Sequence, residues 1–221
     1  MLRYRCLVLD HDDTSVDSTR KVNYPQFCEF LPRLRPQVTM DEAQFIRYCC
    51  DLGFYEMCRE VLHYTDEEKE LHIAHWKNYL LTHRAPFFDG IPQVIDRQKQ
   101  EGGMVCVISH SYENTIRPLY DYHGVTQPDV IFGADYPDHQ RKPNPWPLEE
   151  LMRQYALQPE EILVVDDMPL GLDMAEKCAV PFAAAAWWGM PDYVREKFNA
   201  RGALILETVS QLESLLFGEK L

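Results

Sequence analysis

Short, largely apolar runs recur along the chain at Tyr4 to Leu9, Met104 to Ile108, Asp129 to Phe132, Ile162 to Val165, Phe182 to Ala186 and Ala203 to Leu206. They do not alternate apolar with polar residues, so each reads as a strand buried on both faces, as in a parallel sheet. Between them lie stretches with helical spacing: Pro92 to Gln100, Tyr112 to His123, Pro147 to Ala156, Leu170 to Cys178 and Pro191 to Asn199. Strand followed by helix, repeated, predicts an open α/β sheet.

One region breaks this alternation. From Val16 to Thr82 there is no strand pattern, only helical segments with recognisable starts. Thr39-Met-Asp-Glu42 and Thr65-Asp-Glu-Glu68 each fit a capping box, in which a Thr hydroxyl and a Glu carboxylate satisfy amides of the first helical turn. The segment therefore reads as an all-helical insert at residues 16–83, within a core made of residues 1–15 and 84–221. Pro86-Phe-Phe-Asp-Gly90 marks the return to the core as a turn.

Composition narrows the partners. With 22 basic and 35 acidic residues the net charge is 22 − 35 = −13, which disfavours nucleic acid and anionic membrane surfaces, since both require clustered Lys and Arg. A small-molecule substrate fits better. The cysteines number seven, an odd count, and the first residues run directly into a charged segment, so a reduced, cytoplasmic protein is expected. No apolar run approaches the ~20 residues of a membrane helix, the longest being Val180 to Trp188.

Polar residues collect where an open parallel sheet places its reactive groups, at the carboxyl ends of the strands. The first strand ends in Asp10-His-Asp12-Asp-Thr14, the second in Ser109 and the fourth in Asp166-Asp167, while Arg141-Lys142-Pro143 follows the third. Residues i and i+2 of an extended chain face the same side, so Asp10 and Asp12 share one site while His11 points away and packs beneath it. Taken singly, each piece has an ordinary alternative: a turn, a helix cap such as Ser109, or a solvated loop lysine. Their order supplies together a nucleophile, a phosphate-binding hydroxyl, a cation and a carboxylate pair.

The four segments resemble the four motifs of the haloacid dehalogenase superfamily, from Tyr4 to about Trp188. Asp10 and Asp12 match its D-x-D-x-T signature, Ser109 its strand-terminal Ser, Lys142 its K-P-x-P, and Asp166-Asp167-Met-Pro-Leu-Gly-Leu172 its acidic pair before a helix. The helical insert sits where the subfamily of phosphoglycolate phosphatases and β-phosphoglucomutases carries its cap. The resemblance implies a Rossmann-like three-layer α/β core with an inserted helical cap, and a magnesium-dependent phosphatase acting on a small phosphorylated metabolite. It implies Asp10 as the nucleophile that becomes an aspartyl-phosphate, and Asp12 as acid and base. Asp10, the backbone carbonyl of Asp12 and Asp167 would hold Mg2+, with Asp166 assisting through water. Ser109 and Lys142 would hold the phosphoryl oxygens, and amides at Asp12 and Asp13 would add donors. Asp13 and Met168 depart from the Gly and Ser common at those positions; Asp tolerates unusual backbone angles better than most residues, and its carboxylate would discourage highly charged substrates.

His110, Ser111 and Asn114 are candidates for contact with substrate, and Gly53 in Asp51-Leu-Gly-Phe-Tyr55 is the candidate specificity loop of the cap. Arg20, Lys21, Arg47 and Arg59 could reach an anionic leaving group. His72 and His75 share a helical face with Glu68, which reads as an exposed polar face in preference to a metal site. Cys49, Cys50 and Cys58 read as core or half-buried residues. A phosphomutase would carry identical motifs and differ only in keeping water from the aspartyl-phosphate. A non-enzymatic phosphoacceptor module has no use for Asp12, and dehalogenation needs neither magnesium nor the second carboxylate.

Overall fold

In the computed structural model, which describes residues 2–218, the apolar runs form one parallel sheet. Its strands are β1 (Cys6–Leu9), β2 (Met104–Ile108), β3 (Val130–Phe132), β4 (Ile162–Asp166), β5 (Phe182–Ala185) and β6 (Leu204–Leu206), in the spatial order β3-β2-β1-β4-β5-β6. Each matches its predicted run to within two residues at either end. The order reverses direction between β1 and β4, the place at which the connections depart to opposite sides and open a crevice at the carboxyl ends.

The chain divides into two compact units, residues 1–16 with 87–221, and residues 17–86. In the second, a π-helical turn at Thr19–Asn23 leads into α1 (Tyr24–Leu34), followed by α2 (Glu42–Asp51) and the short α3 (Phe54–Glu56), which runs into a second π turn at Met57–Val61, and by α4 (Asp66–Tyr79). No strand occurs among its described residues. Its core joins Phe27, Leu31, Phe45, Met57, Leu62 and Tyr64. Thr65 caps α4 through the predicted box with Glu68. Thr39, however, does not cap α2: Asp41 does, paired with Gln44. Met40 is the reason, because starting the helix after Asp41 leaves Met40 and Phe45 at the two positions of a hydrophobic staple, and both enter the same core.

His72 also departs from expectation. It is fully buried, its Nε2 3.2 Å from Gln26 Oε1, and rings of Phe27, Phe30, Phe54 and Tyr64 surround it. The face predicted to be solvated is thus the buried face of α4, while Glu68 is held by Arg35 at 2.8 Å.

In the core unit the helices are α5 (Ile91–Gln100), α6 (Glu113–His123), α7 (Trp146–Tyr155), α8 (Pro169–Lys177), α9 (Asp192–Asn199) and α10 (Val209–Phe217). Alternation along β1 divides them. Leu7 and Leu9 pack with Ile91, Ile95, Ile116, Tyr120 and Leu212 from α5, α6 and α10, whereas Cys6 and Val8 pack with Leu148, Leu151 and Met174 from α7 and α8. The result is the three-layer α/β arrangement. The helix α10 had not been anticipated, although Thr208 and Gln211 form a capping box at its start.

Candidate active site

Two neighbouring strands deliver the acidic groups. Leu9 and Val165 stand opposite each other in β1 and β4, so Asp10 leaves the sheet beside Asp166, its amide donating to Val165 O at 2.9 Å. The chain then turns sharply. Amides of Ser15 and Val16 both donate to His11 O at 3.0 Å, Asp13 N–H donates to Val16 O at 2.8 Å, and Ser15 Oγ donates to Asp10 O at 2.6 Å. Asp13 takes the left-handed conformation at φ 55°, a region open to Asp more readily than to most side chains. Its amide is committed to this turn, so the donor expected there for phosphate is already engaged. His11 is buried beneath the site and stacks on Tyr120 at 6.2 Å.

Lys142 enters from the loop after β3. Its ammonium lies 2.9 Å from Asp10 Oδ1 and 2.7 Å from Asp166 Oδ2, with all three residues buried. The approach to Asp10 is a charge contact alone, and Asp10 Oδ1 has no hydrogen-bond donor. Asp166 is fully tied: its other oxygen accepts the Met168 amide at 2.8 Å. Gly171 permits this, because a Cβ there would lie 2.3 Å from Asp166 Oδ2. Asp167 accepts from Thr14 Oγ1 at 3.2 Å, and Thr14 O accepts from Trp187 Nε1 at 3.0 Å. Trp187 had not been singled out; its position just after a strand end was the available signal.

The Ser109 loop closes the other side. Ser109 is buried and its Oγ accepts the Ser111 amide at 3.0 Å, while Ser111 Oγ donates to Asp12 Oδ2 at 2.6 Å. His110 is exposed, with Nε2 2.8 Å from Lys142 O. Asn114 is exposed on the first turn of α6. Asp10, Asp12, Asp13, Ser109, His110, Ser111, Lys142, Asp166 and Asp167 thus belong to one unit, whereas Gly53 lies in the other, at φ 84° ahead of α3. Three of the four basic residues singled out in the insert are engaged there: Arg20 with Glu42, Arg47 with Asp51 and Arg59 with Glu56 and Glu60. Lys21 is exposed.

The family model for haloacid dehalogenase-like hydrolases matches residues 7–185, spanning every one of these loops. The chain belongs to that family. Among solved structures, this hydrolase is similar to a Bacteroides fragilis protein assigned as a haloacid dehalogenase-like hydrolase, with a TM-score of 0.78, 22% identity and 95% and 99% of the two chains covered. It is similar to CbbY from Rhodobacter sphaeroides, solved with phosphate, with a TM-score of 0.75, 18% identity and 95% and 96% covered. A protein from Haemophilus somnus 129pt, assigned by prediction as a phosphoglycolate phosphatase, gives a TM-score of 0.72 at 14% identity, covering 96% and 99%. At these identities the likeness is one of fold. No curated protein matches the chain.

The electrostatics of the hydrolase site favour a cation. Carboxylate oxygens of Asp10, Asp166 and Asp167 lie within 4.8 Å of one another, all buried. Burial, then the charges of Asp10, Asp166 and Asp13, drive the Asp167 carboxyl well above its usual range. Burial also raises Asp166, against the opposing pull of Lys142. Burial alone would lower the Lys142 ammonium, but Asp10 and Asp166 reverse the sign and raise it. One ammonium cannot balance this many buried acids in their ionised forms, and the donors are hard oxygens, so the residues fit a divalent ion such as Mg2+. Among the described residues no other cluster of this kind occurs. No helix among them is long and apolar enough to cross a membrane.

Proposed function

We propose that this hydrolase is a magnesium-dependent phosphatase that cleaves a small phosphorylated metabolite through an aspartyl-phosphate on Asp10. The observation that carries the reading is the buried Lys142 ammonium set 2.9 Å from Asp10 and 2.7 Å from Asp166, beside Asp167. Such a site attracts a phosphoryl group and holds the nucleophile against it, and phosphoryl transfer is largely positioning and charge stabilisation.

In the first step a carboxylate oxygen of Asp10 bonds to phosphorus and the bond from phosphorus to the leaving oxygen breaks, while Asp12 gives its proton to that oxygen. In the second, water attacks phosphorus, Asp12 takes the water's proton, and the bond to Asp10 breaks, releasing inorganic phosphate. Lys142 faces the equatorial oxygens. Ser109, whose Oγ already accepts the Ser111 amide, has its hydroxyl proton left to donate to the same group. Asp10, Asp167, Asp166 through water and the Asp12 carbonyl would hold Mg2+, which when bound screens the repulsion between the attacking carboxylate and the anionic ester. The neighbour solved with phosphate is in keeping with this substrate class.

Release of inorganic phosphate from a panel of phosphorylated metabolites, with and without Mg2+, tests the reading. Activity is expected only with the metal, and Asp10→Asn is expected to lower it more than about a thousandfold. Hydrolysis that survives Asp10→Asn would refute it. With a hexose 1-phosphate, free sugar plus phosphate identifies a phosphatase, and an isomerised sugar phosphate a mutase.

A further inference from the structure

Ser111 is fixed more tightly than a loop residue after a strand requires. Its amide donates to Ser109 Oγ at 3.0 Å, and its carbonyl accepts Ala134 N–H at 2.9 Å. Gly133 allows that close approach, since a Cβ there would lie 2.7 Å from Ser111 O and 3.0 Å from the Glu113 amide. The Glu113 amide in turn donates to Asp135 at 2.7 Å. With both backbone groups held, the direction of the Ser111 side chain is set, and that side chain is buried and donates to Asp12 Oδ2 at 2.6 Å.

We infer that Ser111 is a positioning residue, which holds the Asp12 carboxyl in one orientation for proton transfer. The inference rests on the reading of Asp12 as acid and base. A hydroxyl suits this task in a way that an amide or ammonium does not. It donates to a carboxylate and, by rotating, accepts from a carboxylic acid, so the same contact survives both protonation states of Asp12. Held in one rotamer, Asp12 reaches the leaving oxygen in the first step and the water in the second without reorienting. The Ser111 amide meanwhile fills the acceptor side of Ser109, so one residue sets the direction of both the acid and the phosphate-binding hydroxyl.

The test compares two esters of matched shape, phenyl phosphate and p-nitrophenyl phosphate, by the rate at which the full-length, Mg2+-loaded enzyme releases the alcohol in its first turnover. Phenolate is the poorer leaving group and depends more on protonation. General acids contribute roughly 10²–10⁴-fold. Ser111→Ala is expected to lose about tenfold with phenyl phosphate and markedly less with p-nitrophenyl phosphate, at unchanged KM, whereas Ser111→Thr, which keeps the hydroxyl, retains most of the rate. Asp12→Asn run alongside is expected to discriminate between the two esters more strongly still. Equal losses on both esters in Ser111→Ala, a change confined to KM, or a Ser111→Thr variant as impaired as Ser111→Ala would overturn the role of Ser111 while leaving that of Asp12 intact. If Asp12→Asn slowed both esters equally, or the unaltered enzyme cleaved neither, the reading of Asp12 or of the reaction would fall, and the inference with it.

Discussion

Two buried polar regions of this hydrolase solve the burial problem in opposite ways. At the carboxyl ends of β1 and β4, charge is concentrated: Asp10, Asp166, Asp167 and Lys142 are all buried, and Asp167 carries the repulsion of its neighbours. In the helical insert, His72 is equally buried but neutral, given one partner in Gln26 and otherwise enclosed by aromatic rings. Burial lowers the His72 ring to about 4, so the group avoids its charge. A region serving structure alone discards charge on burial, because an isolated buried ion is costly. A region that crowds three carboxyls around one ammonium pushes Asp166 and Asp167 toward their protonated forms, and is prepared for a cationic ligand that supplies the balance.

The largest break in this contrast is expected from Lys142→Met. Removing one member of a buried charge cluster leaves Asp10 and Asp166 uncompensated, and such losses cost about 3–5 kcal/mol. Urea denaturation at neutral pH should show that fall, and Lys142→Met combined with Asp166→Asn should recover part of it, because fewer acids then lack a counter-charge.

The two regions should also respond to pH with opposite slopes. Asp166 is raised to about 7 and Asp167 is raised as well, so between the unfolded carboxyl value near ~4 and about 7 the folded protein binds more protons than the unfolded chain. Stability from the site is therefore present at low pH and declines as pH rises through that window. The raised Lys142 stays protonated throughout and adds no slope. Mg2+ should remove the decline, since a ligand that binds only the folded state stabilises it in proportion to the logarithm of its concentration. His72 acts the other way. With its folded value near about 4 against 6.5 unfolded, its contribution is present above 6.5 and declines as pH falls, by up to about 3 kcal/mol. His72→Phe should flatten that acid limb, at a cost of about 1 kcal/mol for the partner lost to Gln26. Denaturant midpoints at several pH values, with and without Mg2+, check both slopes; equal slopes in the wild type and His72→Phe would refute the second.

The smallest effect concerns the start of α2. Asp41→Ala should cost about 1 kcal/mol, whereas Thr39→Ala should stay within about 0.5 kcal/mol, as read from thermal or urea unfolding of the whole chain.

That last pair also shows how far the chain could be read directly. Thr39-Met-Asp-Glu42 and Asp41-Glu-Ala-Gln44 are both acceptable capping boxes, and local chemistry does not choose between them. The choice fell to Met40, which is buried in the same cluster as Phe45 with the helix beginning after Asp41. His72 departs from the exposed face that its spacing predicts for a related reason. Helical spacing identified a shared face with His75 and Glu68, but the direction in which that face points depends on what packs against it, and Phe27, Phe30 and Phe54 lie far from it in sequence. The inner strands were legible because burial on both faces leaves an uninterrupted apolar signature; the edge strand β6, where Leu204 is exposed, shares the apolar run without that burial, and the start of α10 was not distinguished.

For the site, order along the chain was enough to select Asp10, Asp12, Ser109, Asp166 and Asp167, because each stands at or just beyond the end of an apolar run and strand ends converge in a parallel sheet, and Lys142 from the loop that follows the third run. Pairings were not available at that level. That Lys142 lies against both Asp10 and Asp166, that Thr14 and Trp187 brace Asp167, and that Ser111 holds Asp12 all follow from the strand order, with β1 between β2 and β4 and β5 beside β4. Residue types and strand ends are local properties of a chain. Which side chains meet is decided by strand order and register, which arise only when distant segments pack into one sheet.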